Sequence, residues 1–282
     1  MSYTDNLIGS NQESNPAVRM RVANSSLIYM ASFIILNFAQ DFISSVSAAL
    51  FNLKPVLFYH KLTLQETDHG HLKTIVFSFL SGPFAILVIG FIALQVFFYA
   101  RKFHGTAKFF LLWLGVAGFT IFLTQVITAQ VFPDRSICMA YRLIDISDTT
   151  AILFSILASI AFVFFSTRMP KFFLRTTTTT YYLKHEHQRR RYLFQTAFLP
   201  WMLGSIGLAV FYLPEFTMHF FYQLMAFGIC TYIAWEFSRS RKNKQIKLFK
   251  HPPIKKLAYV YLIVILLLYL NFHLTLAKGI AL

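Results

Sequence analysis

The chain has 282 residues, 56% of them hydrophobic and only 13% charged, with a formal net charge of +15. A soluble domain carries about 25% charged residues, so this balance excludes an ordinary soluble globule and leaves a membrane protein. The cationic clusters sit beside apolar segments, where each basic side chain is drawn to anionic headgroups by about 1 kcal/mol, so the charge points to lipid rather than nucleic acid.

Residues 1–26 are polar and lack the basic lead into a short apolar core that marks a cleaved signal. They read as a cytoplasmic tail before an uncleaved signal anchor. Seven apolar stretches follow, at roughly 27–48, 73–99, 108–132, 143–166, 193–213, 217–238 and 257–275. A hydrocarbon core of about 30 Å takes about 20 apolar residues as helix, because lipid offers no partner to an open backbone group. The expected fold class is all-α, a polytopic membrane protein with about seven transmembrane helices in a single domain over 27–275 and a short C-terminal tail at 276–282. The stretch Leu257–Phe272 carries no charge and is the clearest span, whereas the fourth opens on Asp145 and Asp148 and is the weakest. The fifth and sixth are separated only by Pro214–Phe216 and should form a tight helical hairpin. None of the intervening pieces is long enough to hold a core of its own.

Twenty of the 26 Lys and Arg residues fall in the N-terminal tail and in 100–108, 168–192 and 239–256, which alternate with segments holding the other six. Retention of positive charge on the cytoplasmic side sets the N-terminus inside and the C-terminus outside. The expected location is the cytoplasmic (inner) membrane of a bacterium. Lys184, Arg189, Arg190, Arg191, Arg239, Arg241, Lys242 and Lys244 are the candidates for contact with anionic headgroups. The threonines at 176–180 and the basic run after them read as a solvated loop.

An ionisable group deep in a span costs at least about 2.5–3.5 kcal/mol on insertion scales, which makes it a functional clue. Asp41 is such a group. Gln40, Asp41, Ser44 and Ser45, with Ser47, give the first span a polar, small-residue face by their helical spacing. Asp145 and Asp148 share a face at the start of the fourth span, where a carboxylate near the positive end of a helix is also an ordinary cap. Gln95, Gln125, Gln130, Gln223 and His219 read as hydrogen-bonding glue between helices. Pro83 interrupts the second span and should kink it, and Gly82 beside it admits a close neighbour.

His60, Asp68, His69 and His71, with Glu66, crowd one outer loop without regular ligand spacing. The expectation is no cofactor, with zinc at this loop as the alternative. Cys138 and Cys230 read as free thiols, and no phosphate-binding or nucleophile-elbow motif is present.

Residues 40–55 (QDFISSVSAALFNLKP) and 80–89 (LSGPFAILVI) together resemble the site-two-type intramembrane zinc metalloproteases. In that family a His-Glu-x-x-His helix is followed by small residues and a Phe-Gly turn, and then by a helix containing Gly-Pro. The resemblance sets Gln40, Asp41 and Ser44 on the first zinc His, the general-base Glu and the second zinc His. Ala48, Ala49, Phe51 and Asn52 follow the flanking pattern, and Gly82-Pro83 matches the Gly-Pro. Neither Gln40 nor Ser44 is a zinc ligand of the kind that the family needs, and no Gly follows Asp145 or Asp148 to complete its third-ligand motif. The resemblance thus implies a relative that kept the scaffold and lost the metal chemistry.

Three functions follow from these residues. The first is a non-catalytic scaffold or subunit of a larger membrane complex, a pseudoprotease whose partners are lipids and other membrane subunits. The second is an ion- or proton-coupled transporter using Asp41, and the third is a membrane metalloenzyme using the outer-loop ligands.

Overall fold

The computed structural model describes residues 15–58, 62–64, 72–99, 105–132, 136–177, 180–214, 216–240 and 257–281. Helix α1 (Asn15–Leu50) leads into a short hairpin of β1 (Pro55–Leu57) and β2 (Leu62–Leu64). Then come α2 (Leu72–Tyr99), α3 (Thr106–Ile127), the short α4 (Ser136–Leu143) and α5 (Asp148–Leu174). Two brief helices, α6 (Tyr181–Lys184) and α7 (Glu186–Leu193), precede α8 (Leu199–Phe211), α9 (Met218–Phe237) and α10 (Tyr259–Leu274). The protein is an all-α polytopic membrane protein with almost no sheet.

Among the described residues six helices are long and apolar enough to cross a membrane: Pro16–Leu50, Leu72–Tyr99, Thr106–Ile127, Asp148–Leu174, Glu186–Phe211 and Tyr259–Lys278. The sixth apolar stretch of the sequence is also a 20-residue helix, α9, but His219, Gln223 and Glu236 dilute its apolar character. Several helices overrun the apolar stretches. Helix α5 continues through Arg168, Pro170 and Lys171, because backbone hydrogen bonding persists into the headgroup layer while long basic side chains reach for water.

The helices alternate in direction, and two ends result. At one end Arg21 lies over the rings of Tyr182 and Tyr192, Lys108 over Phe97 and Arg175 over Phe98. The other end carries the three-stranded sheet, in the order β2-β1-β3, whose last strand is Ile280–Ala281. Beneath it Ala48, Leu53, Ile75 and Phe79 form a small satellite core.

The main core is aromatic. Tyr29 meets Trp113 and Phe227 at centroid distances of 5.0 and 5.2 Å, and Tyr212 stacks on Phe220 at 4.1 Å. Helices α2 and α3 approach through glycine: a Cβ on Gly118 would strike the Ile86 carbonyl and the Gly90 backbone. Without a hydrophobic force between helices in lipid, such small residues bring backbones close enough for dispersion to act.

One joint follows directly from a proline. Pro200 has no N–H, so the Thr196 carbonyl four residues back loses its α-helical donor. The helix widens there into a π segment, Phe194–Phe198, and Ser25 of α1 donates its hydroxyl to the Thr196 carbonyl at 2.7 Å. The same hydroxyl accepts the Trp113 indole N–H at 2.9 Å, tying α1, α3 and the α8 segment together.

The threonine run differs from the solvated loop expected of it. Thr176 and Thr177 are buried, and Thr176 Oγ1 donates to the Phe173 carbonyl at 2.6 Å while lying 2.9 Å from the Tyr192 hydroxyl. The last carbonyls of a helix need donors, and threonine supplies one to α5. Thr178 and Thr179 lie outside the described residues.

Candidate functional site

The polar stripe on α1 turns inward. Asn37, Gln40, Ser44 and Ser45 are all buried. Ser45 Oγ donates to the Asp41 carbonyl at 2.8 Å and Asn37 Nδ2 to the Phe33 carbonyl at 3.0 Å, so part of the stripe is satisfied within its own helix. Gln40 reaches across to α3, where Gln125 Nε2 donates to Gln40 Oε1 at 2.7 Å. Gln125 stands on a polar stretch of its own, since Thr124 Oγ1 donates to the Thr120 carbonyl at 2.7 Å.

Helix α2 completes the joint from the third side. Gly82 sits so tightly on α1 that a Cβ there would collide with the Gln40 carbonyl and with Ser44 Oγ. Pro83 is buried inside an α2 that remains one continuous helix from Leu72 to Tyr99. Among the described residues, Ser44 Oγ and Gln125 Oε1 are buried without a hydrogen-bond partner. A buried polar group left so costs about 1–3 kcal/mol.

Asp41 is half-buried beside this stripe. Asp145 and Asp148 are exposed at the approach to α5 rather than part of the buried group. Asp145 holds φ of 56° in the turn after α4. Asp148 is the first residue of α5, behind Ser147, whose side chain accepts the Thr150 N–H at 3.4 Å. The Asp148 carbonyl accepts Gln130 Nε2 at 3.1 Å.

The basic residues divide. Lys184 and Arg191 are exposed. Arg190 lies over the Trp235 ring at 4.0 Å and bonds Glu236 at 3.4 Å, and exposed Arg239 pairs with Glu186 and Glu236 at 3.5 and 3.3 Å. Arg189 is 1% exposed and turns inward. It donates Nε to the Ser238 carbonyl, Nη1 to that of Leu183 and Nη2 to that of Arg239, at 2.9, 3.0 and 3.0 Å. Its guanidinium thereby answers the Ser238 and Arg239 carbonyls where α9 ends, the negative pole of that helix, and ties that end to α6 through Leu183. Arg241, Lys242 and Lys244 lie outside the described residues, as do His60, Asp68, His69 and His71. Among the described residues no three His, Cys, Asp or Glu side chains come together as metal ligands.

Both cysteines are buried. Cys230 packs with Ser166 Oγ at 3.1 Å and Met169 Sδ at 3.0 Å. A second polar pair, His219 Nε2 and Gln223 Nε2, lies 2.8 Å apart within α9.

The chemistry available at the α1–α2–α3 joint is that of carboxamides and hydroxyls, which do not titrate in the physiological range and serve as directional donors and acceptors. Sequence spacing finds Gln40 and Ser44 on one stripe but not the partner 85 residues away. Glycine beside Pro83 is the one sequence signal that marks where the third helix lands.

Fold and joint together define a polytopic helical membrane protein whose first three helices meet at a buried polar contact. No family model, curated protein or solved structure matches the chain.

Proposed function

We propose that this protein is a non-catalytic subunit or scaffold of a larger membrane assembly, built on the plan of a site-two-type intramembrane metalloprotease. The observation that carries the reading is the 2.7 Å bond between Gln40 and Gln125. Gln40 stands on the position that the resemblance gives to a zinc ligand, and here that position is engaged in joining two helices. Gly82 of the matching Gly-Pro seats on the same turn of α1. Asn52, overlaid next to Phe51 at the Phe-Gly turn, has φ of 58°, a left-handed conformation that glycine or asparagine adopts most readily. These three observations support descent from that scaffold.

A scaffold needs surface, and the bundle offers it. Helix α5 exposes Ile152, Leu153, Ile156, Leu157, Ile160 and Phe164 along its length, enough apolar face for lipid on one flank and a partner helix on another. The end holding Arg19, Arg175 and Lys184 faces the cytoplasm in this reading, by retention of positive charge.

The test is a mild-detergent isolation of the tagged protein from its native membrane, with mass spectrometry and metal analysis of one sample. The expected result is a stoichiometric membrane partner that dissociates when Ile156 and Ile160 are replaced by polar residues. Stoichiometric zinc with cleavage of a membrane peptide would overturn the reading in favour of the enzyme. A lone protein whose reconstituted vesicles show cation flux abolished by Asp41→Asn would replace it with transport.

A further inference from the structure

We propose that the groove between the start of α1 and the start of α10 binds one anionic glycerophospholipid, with its headgroup phosphate on Arg19. The groove has a volume of about 530 Å³ and is lined by Pro16, Arg19, Met20, Ala23, Leu257 and Tyr259. Ligand sites fall in the range of about 300–1,000 Å³ and pair apolar walls with few polar groups. Among the described residues the lining pairs one guanidinium with apolar or aromatic side chains, which is the pattern of a phosphate with acyl chains below it.

Depth agrees with that assignment. The Ala258 N–H donates to Asn24 Oδ1 at 2.7 Å and fixes the level at which α10 begins its uncharged run. Arg19 precedes Asn24 by five residues, about 7 Å along a helix. The headgroup layer on each side of the hydrocarbon is about 5–7 Å thick, so the guanidinium lies at phosphate level when Ala258 lies at the hydrocarbon edge. Tyr259, on the groove wall, sits where an amphipathic ring favours the interface.

The occupant follows from charge and access. This end of the bundle gathers Arg21, Lys108, Arg175 and Lys184 along with Arg19, a field that favours an anion. Helix α10 packs chiefly on α1, and only 11% of its apolar window is buried. One wall of the groove therefore belongs to a helix standing in lipid, and a bilayer molecule reaches the groove sideways without crossing water. The assignment does not depend on how the Gln40 joint is read.

The experiment is native mass spectrometry of the full chain released from nanodiscs of phosphatidylcholine with or without phosphatidylglycerol. One retained phosphatidylglycerol per protomer is expected, and Arg19→Gln should weaken its retention about fivefold, the effect of one basic residue at a membrane surface. Ala23→Trp, which fills the groove and keeps the charge, should weaken it as well. Arg142→Gln, an exposed arginine of α4 away from the groove, should leave it unchanged, and unfolding midpoints matching wild type confirm that the variants are folded. The proposal fails if Arg19→Gln retains as much lipid as wild type. It fails equally if Arg142→Gln loses as much, if phosphatidylcholine is held as well as phosphatidylglycerol, or if soluble glycerol phosphate displaces the lipid.

Discussion

Helices α1 and α10 lie against each other yet follow opposite plans. Within its apolar window α1 is 67% buried, and it carries Asn37, Gln40, Ser44 and Ser45 among its inward residues. The same measure for α10 is 11%, and its sequence from Tyr259 to Leu274 is almost wholly aliphatic and aromatic. Hydropathy alone does not tell a lipid-facing helix from a core one, for α2 is more apolar than α10 and yet 44% of its window is buried. Of the two, the helix without a single Asp, Glu, Lys or Arg contributes less to the core, and the one diluted with amides and hydroxyls organises it.

Substitutions can break or sharpen that contrast. Gly82→Leu should have the largest effect, because its side chain would enter backbone and hydroxyl of α1. Over-packing of this kind costs about 1–3 kcal/mol or more, to be read as a lowered unfolding midpoint and early aggregation on size exclusion. Ser25→Ala comes next. It strands the Thr196 carbonyl and the Trp113 indole N–H together, and a loss of about 2 kcal/mol in denaturant titration is expected. Gln125→Leu removes one interhelical bond at Gln40 and should cost about 0.6–1.7 kcal/mol, the range measured for such bonds in a bilayer. Leu266→Ala on the exposed face of α10 should stay within about 0.5 kcal/mol of wild type. A Leu266 effect as large as that of Ser25 would erase the distinction between the two helices.

The spans themselves were legible, because lipid imposes length and apolarity on each helix separately. Leu257–Phe272 announces α10 to within two residues of Tyr259–Leu274. Boundaries were less so: the fourth apolar stretch reads as 143–166, its start blurred by Asp145 and Asp148, whereas α5 runs Asp148–Leu174 behind the Ser147 cap. The candidate joint was half legible. Periodicity puts Gln40 and Ser44 on one face, but which of the other glutamines they meet depends on helix packing. The inward turn of Arg189 was invisible for the same reason, since a basic run reads alike whether its arginines face headgroups or the carbonyls of another helix. Residues 241–256, which hold many of the basic side chains, lie outside the described part of the chain.

The hydroxyl of Ser25 has a consequence for biosynthesis. Its two partners lie far downstream, Trp113 at a separation of 88 residues and Thr196 at 171. At about 5–20 residues per second, the ribosome delivers the second of them on the order of 10–30 s after α1 has been made. During that interval the most polar of the early helices waits in the bilayer or beside the insertion machinery with the Ser25 hydroxyl still lacking its acceptor on Thr196. Helix α1 must be sheltered until partners 88 and 171 residues downstream are made, so slowed elongation or a missing insertase should deplete this protein before it affects membrane proteins whose corresponding helices are as plainly apolar as α10.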